Sequence, residues 1–353
     1  MTALTSPPPA LTAALQRAAA RATLAPSVHN SQPWRFVLRG PALDMYLDRG
    51  RELPVLDPTG RQRLISCGAA LFNARVSLAA SGCETTVERS PGKGNGKLLA
   101  RLVARDSADE VMVLTSPDEN AAARARDTLP AAQAHLASLD PVLELRHTNR
   151  RRFADEELPG ELVRLLQDAA DAEGTICVPI RRPEDRVATA VLCQRADAEQ
   201  NADPAYRAEL RAWTTADPAR LDGVPAEAVP RGGPESYDDV PIRDFDTTGE
   251  GALPPDTHSS LHQCLLLLGT EVDTPDAWLR SGEALERILL EVTRHGFVAS
   301  PLTQVIEVPR TRGLLRHQFA DMLFPQVLVR VGRAPATPAP PRRHLADVLE
   351  TRD

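Results

Sequence analysis

The chain has 353 residues, of which 42% are hydrophobic and 25% are charged, and its formal net charge at pH 7 is −7. This length accommodates two domains, or one large domain with two cores. Apart from the short basic run at residues 150–152, the sequence shows no basic cluster, which argues against nucleic acid as a partner.

The cysteines and the amino-terminal segment indicate the cellular compartment. Five cysteines lie far apart, none forms a C-x-x-C pair, and an odd count argues against a disulfide framework. The first residues lack the apolar region of a signal peptide, and the longest apolar run, residues 265–268, is far too short to span a bilayer. We therefore expect reduced thiols in a cytoplasmic protein that has no membrane partner.

Hydrophobic periodicity and turn residues predict the elements of the first part of the chain. We expect helices over 11–24 and 64–81, the second ending at Gly82, and strands over 34–38, 43–47, 84–89 and 98–105. A turn-rich loop covers residues 26–34. The dipeptide Asn95-Gly96 predicts a hairpin turn between the last two strands, and residues 117–138 again carry helical periodicity.

The second part of the chain repeats this kind of pattern. It predicts helices over 158–172, 202–213 and 275–295, and strands over 177–180, 261–270, 297–300 and 325–331. Residues 214–255 are irregular and rich in proline, glycine and aspartate, which is typical of a lid, a binding loop or a disordered linker. A proline-rich connector, residues 334–341, precedes the closing segment 342–350.

Two helices of the chain share a local pattern. Gly68-Ala69-Ala70-Leu71 lies in one and Gly282-Glu283-Ala284-Leu285 in the other, and a further glycine, Gly82 or Gly296, follows fourteen residues after the first. Each helix is then followed by a short strand, a connector and an apolar strand. A single match could arise by chance, but the same order of elements in both parts favours an internal duplication.

Two further segments resemble motifs of the nitroreductase family. Residues 25–36, APSVHNSQPWRF, resemble the signature A-P-S-x-x-N-x-Q-P-W-x-F, and residues 146–153, RHTNRRRF, resemble the family's R-x-S-x-R-x-F motif with one extra residue. Ordinary members carry the arginine motif first, whereas here the order is reversed and each part lacks the other's motif. The chain is therefore similar to the Acg branch, in which one chain mimics the family's homodimer.

This resemblance implies an α+β, nitroreductase-like fold with two tandem halves arranged as a pseudo-dimer. Each half would have a mainly antiparallel sheet flanked by helices. We place the first half at residues 1–140 and the second at 141–353, with 214–255 as a lid or insert. Because the subunit interface of the family would be internal to this chain, we expect a monomer.

The resemblance also implies one composite site for FMN. Small groups at the flavin ring edge and ribityl chain would come from the first half, namely from Pro26, Ser27, Val28, His29 and Asn30. The arginine motif of the second half would contribute Arg146, Thr148, Asn149 and Arg150. The loop near the flavin N5 would be Ser300, Pro301, Leu302, Thr303 and Gln304, and the carboxy-terminal contribution would come from Arg342 and Arg343.

The chemistry of FMN explains these residue types. Guanidinium groups pair bidentately with phosphate oxygens, which suits Arg146 and one of Arg342 or Arg343, with Thr148 donating a hydroxyl. A positive donor near the flavin N1 and O2 suits the charge that gathers there on reduction, and Arg150 is the candidate. The alternative for the basic run 150–152 is an ordinary solvated surface.

Other signals do not meet the requirements of a site. His258 and His262 have the i, i+4 spacing of metal ligands, but no third ligand is evident, so we expect no metal. The segment GKGNGK is one residue short of a P-loop, and Leu98 stands in place of the Ser or Thr, which favours a hairpin turn. No side chain is singled out as catalytic.

Two functions remain open from the sequence. The resemblance implies an oxidoreductase that passes a hydride from NAD(P)H through FMN to an acceptor, such as a nitro compound, a quinone or a pathway intermediate. The alternative is a protein that sequesters or stores FMN beneath the segment 214–255, with little or no turnover.

Overall fold

The structure is a computed structural model that describes residues 8–90, 98–106, 131–232, 240–254, 263–319 and 322–352. Three sequence predictions lie wholly or partly outside these residues: the hairpin turn at 95–96, the part of the predicted helix 117–138 that precedes residue 131, and the pair His258 and His262. None of the described helices is long and apolar enough to cross a lipid bilayer. The five cysteines all lie in described segments, and none of them forms a disulfide.

The first half follows the predicted order of elements. Its helices are α1 (Pro9–Ala22), α2 (Arg61–Ala80) and α3 (Ala131–Ser138), and its strands are β1 (Trp34–Arg39), β2 (Ala42–Leu47), β3 (Cys83–Arg89) and β4 (Leu98–Asp106). Helix α1 begins with a proline, whose fixed φ suits the first turn. Gly82 follows α2 with a φ of +76°, a left-handed conformation that glycine adopts without steric cost, and it ends the helix there as predicted.

The second half contains the predicted elements and several more. Its helices are α4 (Gly160–Asp171), α5 (Pro183–Ala202), α6 (Pro204–Ala212), α7 (Pro275–Arg294), α8 (Gln304–Glu307), α9 (Pro309–Gln318) and α10 (Leu345–Val348). Its strands are β5 (Ile176–Ile180), β6 (Thr214–Thr215), β7 (Val224–Pro225), β8 (Cys264–Thr270), β9 (Val298–Leu302), β10 (Phe324–Gly332) and β11 (Leu349–Thr351). The sequence patterns did not predict α5, β6, β7, α8, α9, α10 or β11.

The two main sheets share one strand order. The first sheet runs β11-β1-β2-β4-β3 and the second runs β5-β8-β10-β9. All neighbouring strands are antiparallel except β11, which is parallel to β1. Strands β1, β2, β4 and β3 therefore occupy the same positions as β5, β8, β10 and β9. The predicted α+β fold, with two halves built on mainly antiparallel sheets, is confirmed.

The long helices α2 and α7 cross with their backbones in direct contact at two glycines. A Cβ on Gly68 would lie 1.9 Å from the carbonyl oxygen of Leu279, and a Cβ on Gly282 would lie 1.9 Å from that of Ile65. Leu279 and Ile65 each stand three residues before the glycine of their own helix. The contact is thus reciprocal, as expected at a local twofold axis that relates the two halves.

The hydrophobic cores of the two halves interlock around this crossing. Leu279 of α7 packs in the core formed by α1, α2 and the first sheet, whereas Ile65 of α2 packs in the core formed by α4, α7 and the second sheet. A third cluster covers the opposite face of the second sheet with side chains from α5, α8 and α9. Each half therefore completes part of its core with a residue of the other.

The carboxy-terminal segment returns to the first half. Strand β11 pairs in parallel with β1, in a register that places Leu349 beside Phe36 and Thr351 beside Leu38. Residues 333–344, which contain the proline-rich connector, lead to it without helix or strand. The end of the second half thus completes the sheet of the first half, which makes the halves intertwined.

The halves differ most in the connection between their first two strands. Strands β1 and β2 are joined by a tight turn at Gly40 and Pro41, whereas residues 181–263 separate β5 from β8. The described part of that insertion contains α5, α6 and the short parallel pair β6 and β7. The segment predicted as a lid or insert, 214–255, is therefore the latter part of a longer insertion that begins with two helices.

The glycine crossing makes a direct prediction about stability. Because the Cβ of Gly68→Ala would overlap a backbone carbonyl of α7, the helices must separate, and we expect the free energy of unfolding to fall by about 1–3 kcal/mol. The control is Gly313→Ala in α9, where a Cβ would meet nothing within 4 Å and where alanine favours the helix by roughly 0.5–1 kcal/mol. Urea unfolding measures both; a Gly68→Ala protein as stable as its parent would contradict the crossing.

Candidate functional site

Two adjoining clefts lie where the halves meet. The larger cleft contains about 730 Å³ of atom-free space and the smaller about 450 Å³, both counting solvent at their mouths. They share Pro26, Ser27, Thr148 and Arg150 in their walls. Because one pair of these residues comes from each half, the clefts form a single composite site.

Both halves and the insertion build the larger cleft. The first half contributes the loop after α1 and one face of α2, through Pro26, Ser27, Val28, His29, Gln62, Ile65, Ser66 and Ala69. The second half contributes Thr148, Arg150, Leu285, Ser300, Pro301, Thr303, Gln304 and Val327. The insertion adds Ile242, Arg243 and Phe245.

The loop after α1 has an unusual backbone. His29, Asn30 and Gln32 have φ angles of +51°, +52° and +49°, a left-handed conformation that costs free energy for residues other than glycine. Side chains hold it in place: the hydroxyl of Ser27 accepts from Gln32 N at 2.9 Å, and that of Ser66 accepts from Val28 N at 3.1 Å. The loop is therefore fixed in advance of any ligand.

Asn30 connects three segments at the smaller cleft. Its Nδ2 donates to the carbonyl oxygens of Gly223 at 3.0 Å and Pro341 at 3.1 Å, and its Oδ1 accepts from Arg342 Nη1 at 2.9 Å. The first half, the insertion and the carboxy-terminal connector are thereby joined at one amide. A substitution at Asn30 would disturb all three.

Two guanidinium groups face the smaller cleft, that of the buried Arg146 and that of the half-buried Arg342. Arg146 donates from Nη2 to Leu24 O at 2.9 Å, and Arg342 donates from its Nη2 to the same oxygen at 3.1 Å. Glu286 Oε1 lies 3.2 Å from Arg146 Nε. Burial raises the pKa of Glu286 to about 7, while burial and the charge of Arg146 lower the pKa of Arg342 to about 9. One carboxyl group thus faces two cations, which leaves an excess of positive charge suited to an anion.

Arg150 lies between the two clefts. Its guanidinium carbon is 4.8 Å from the centroid of the Phe245 ring. Burial and the nearby charge of Arg243 lower its pKa to about 10, and among the described residues no carboxylate offsets these effects. A half-buried cation without a counter-charge is costly unless a ligand supplies the negative charge.

Arg243 differs from Arg150 because protein groups neutralise it. Its Nη2 lies 2.7 Å from both carboxylate oxygens of Glu307 and 2.9 Å from Thr303 Oγ1, and its Nη1 donates to the Tyr206 hydroxyl. The insertion is thereby tied to the loop that follows β9.

His29 packs against the insertion. Its ring meets that of Phe245 edge to face, with centroids 5.5 Å apart. Burial, followed by the charges of Arg243 and Arg150, lowers the pKa of His29 well below its ordinary value. The imidazole is therefore neutral at pH 7.

Most of the residues predicted from sequence meet at this site. The cleft walls contain Pro26, Ser27, Val28, His29, Asn30, Arg146, Thr148, Arg150, Ser300, Pro301, Thr303, Gln304 and Arg342. Three others do not line either cleft. Asn149 donates from Nδ2 to Pro335 O at 2.8 Å, Leu302 packs in the core of the second half, and Arg343 pairs with Asp48 at 3.2 Å. Within the described chain no group of three or more metal-ligating side chains is arranged around a common point.

Two sets of cleft residues could not be recognised from the sequence patterns. Gln62, Ser66 and Ala69 line the larger cleft from α2, and their spacing along one face of a predicted helix would have revealed them once the loop beside that helix was assigned. Arg243 and Phe245 come from an irregular segment, where no periodicity shows the direction of a side chain.

The buried imidazole gives a pH dependence that can be measured in the apoprotein. The folded state keeps His29 neutral, whereas the unfolded chain binds a proton below about pH 6.5, so acidification favours unfolding by up to roughly 1.4 kcal/mol per pH unit for this group. His29→Asn, which tolerates the left-handed backbone, removes this loss.

Urea unfolding of both proteins between about pH 7 and pH 5 tests this expectation. As the pH falls below about 6.5, the free energy of unfolding of the variant should increase relative to that of the parent. Glu286 and His147 also titrate with shifted pKa values, but they are present in both proteins and cancel in the difference. A difference that does not change with pH would contradict a buried, neutral His29.

No protein-family model matches the chain. Solved structures similar to it include the FMN-dependent nitroreductase NfnB from Mycobacterium smegmatis in complex with NADPH, at 16% identity and a TM-score of 0.37, covering 62% of this chain and 100% of that one. A nitroreductase with bound FMN from Desulfitobacterium hafniense DCB-2 is 15% identical, with a TM-score of 0.39, covering 61% of this chain and 98% of that one.

Two curated sequences of Mycobacterium tuberculosis (strain ATCC 25618 / H37Rv) match nearly the whole chain. "Putative NAD(P)H nitroreductase Rv3131" is 32% identical over 341 residues, which cover 93% of this chain and 89% of that protein. "Putative NAD(P)H nitroreductase acg" is 30% identical over 335 residues, which cover 93% and 92%. The resemblance seen in the two motifs is confirmed over both halves, and the chain belongs to the nitroreductase-like family that includes Acg.

Proposed function

We propose that the chain binds one FMN across the two adjoining clefts and uses it to pass electrons from NAD(P)H to an acceptor such as a nitro compound, a quinone or a pathway intermediate. The observation that carries the proposal is the pair of guanidinium groups, the buried Arg146 and the half-buried Arg342, at one end of a site whose other end is larger and mainly apolar. The names of the relatives suggest NAD(P)H as the electron donor.

The smaller cleft fits the phosphate of FMN. A phosphate dianion would offset the charges of Arg146 and Arg342, which share only the raised-pKa carboxyl group of Glu286. The hydroxyl groups of Thr148 and Ser27 stand in the same walls and can donate hydrogen bonds to phosphate or ribityl oxygens. The second half would therefore hold the anionic end of the cofactor.

The larger cleft fits a flat heteroaromatic ring. Ile65, Leu285, Pro301 and Val327 give it apolar walls, and polar groups of Gln62, Ser66, Thr303 and Gln304 are available to a ring's edge. When bound, FMN supplies the acceptance and release of a hydride. Arg150 would hold a positive charge beside it, which favours the electron-rich state of a ring.

The insertion supports the second function, sequestration of FMN. Phe245 packs edge to face on His29, and Arg243 is fastened to Glu307 and Thr303, so the described part of the insertion forms one wall of the larger cleft. A wall fixed in this way would restrict the approach of a nicotinamide ring. Under this alternative, FMN binds tightly and turns over slowly or not at all.

The proposed phosphate site is tested by a pair of adjacent arginines. Arg342→Ala removes a cation from the smaller cleft, and we expect the Kd for FMN to rise roughly 10- to 100-fold. Arg343→Ala is the matched control, since this side chain pairs with Asp48 outside both clefts, and it should leave the Kd within about threefold. Quenching of flavin fluorescence measures both constants.

The parent protein should purify yellow with about one FMN per chain. A colourless protein that FMN does not stabilise against heat would overturn the FMN proposal. Equal losses of affinity in the Arg342 and Arg343 variants would overturn the assignment of the phosphate to the smaller cleft.

Anaerobic stopped-flow mixing of the FMN-bound protein with NADH or NADPH separates the two functions. The redox proposal expects the flavin absorbance near 450 nm to bleach within about seconds, a rate typical of enzymes, and to recover when a quinone or nitro compound is added. Phe245→Ala should accelerate the bleaching if this ring restricts access. Tightly bound FMN that neither nucleotide reduces would overturn the redox proposal and support sequestration.

A further inference from the structure

The local twofold axis defines a second position equivalent to the larger cleft. Gly68 of α2 corresponds to Gly282 of α7, so counting along the helices equates Ala69 with Glu283 and Ser66 with Arg280. Gly82 and Gly296 end the two helices with nearly equal φ angles of +76° and +75°.

The same correspondence continues beyond the helices. Counting from the terminal glycines into the strands that follow equates Arg89 with Thr303. Ala69, Ser66 and Thr303 all line the larger cleft. Their equivalents therefore mark where a second cleft of the same kind would lie.

A cluster of ion pairs occupies that equivalent position. Glu283 accepts from Arg89 Nε at 2.6 Å and Nη2 at 2.9 Å, and from Arg75 Nη1 at 2.7 Å. Glu173 accepts from Arg75 Nη1 at 2.6 Å and from Arg287 Nη1 at 2.9 Å. Both glutamates are buried and the arginines are mostly buried. We call these five residues the paired cluster.

The paired cluster lies between elements that are equivalent to those around the larger cleft, with each element taken from the opposite half. Glu173 follows α4 as the loop beginning near Leu24 follows α1, and Gly174 lies close to Arg280, since a Cβ on it would be 3.8 Å from Arg280 Cδ. The loop after α1 makes the matching contact, from Val28 N to the Ser66 hydroxyl. The loops therefore approach equivalent points on α7 and α2.

The residue types differ in a way that closes this second position. Where the larger cleft has the small side chains of Ala69 and Thr303, the cluster has Glu283 and Arg89, whose side chains extend into the space and pair with each other. On the side of the larger cleft, charged side chains are open to a ligand. On the side of the paired cluster, they form ion pairs with one another.

We infer that the paired cluster fills the equivalent of the flavin cleft, excludes a second flavin there, and fastens the two halves together on that side without a ligand. The exclusion rests on the proposed binding of FMN, whereas the fastening of the halves does not. Arg75 and Arg89 belong to the first half, and Glu173, Glu283 and Arg287 to the second, so every ion pair of the first-half arginines crosses between the halves.

The experiment compares the parent with the double variant Arg89→Thr, Glu283→Ala, which places on this side the residue types found at the equivalent positions of the larger cleft. We expect the apoprotein of the variant to unfold at a temperature roughly 5–10 °C lower, because buried pairs between the halves are lost. Its Kd for the FMN of the larger cleft should stay within about threefold of the parent's.

The control is Arg333→Ala, which breaks a half-exposed pair with Glu156 of the same half at 2.9 Å. It should lower the unfolding temperature of the apoprotein less, because both side chains are about half exposed and no buried charge is left unpaired. If the double variant does not fold, Glu173→Gln, which removes one charge and keeps the shape, should show the same pattern with a smaller shift.

Three results would overturn the inference. Two FMN per parent chain would show that the second position is open. Loss of FMN from the double variant would show that the cluster belongs to the surviving cleft, and an unchanged unfolding temperature in both cluster variants would show that the pairs do not fasten the halves. A parent that binds no FMN would refute the proposed function instead, and the unfolding temperatures would still test the fastening.

Discussion

The close contact between α2 and α7 at Gly68 and Gly282 is the constraint on which the rest of the molecule depends. Without side chains at these positions, two 20-residue helices touch backbone to backbone, and each sends a leucine or isoleucine into the other half's core. The short distance between the two helices brings the loop after α1 next to the residues that follow β9. The clefts exist because, with the helices this close together, the two segments face each other at one end of the helix pair.

The two sides of the twofold axis have the same fold but different arrangements of charged side chains. On one side, the buried Arg146 and the half-buried Arg150 and Arg342 have too few carboxylates near them, which favours a ligand that brings negative charge. On the other, the arginines of the paired cluster find glutamates of the opposite half. The insertion adds to this asymmetry, because residues 181–263 lengthen only the second half and supply Arg243 and Phe245 to the cleft.

Sequence reasoning predicted the elements with strong periodicity and the residues within family motifs. It missed α5, whose small and polar residues give a weak amphipathic contrast, and β11, whose three residues become a strand only by pairing with β1. It could not separate Arg342 from Arg343, because neighbouring residues of an extended chain point to opposite sides and only the fold shows which side holds the cleft. Arg243 was likewise inaccessible, since an irregular segment carries no periodicity.

The return of the carboxy-terminal segment to the first half affects how the chain folds during synthesis. Asn30 and Arg342 form a hydrogen bond across 312 positions of sequence, and β1 obtains its parallel neighbour from residues 349–351, which are synthesised long after it. Contacts so distant in sequence form slowly, and a strand edge left open meanwhile can pair with another chain. The first half therefore cannot complete its sheet until the second half has been synthesised. Premature termination upstream of residue 342 leaves a nascent protein with an open sheet edge and with half of a cofactor site.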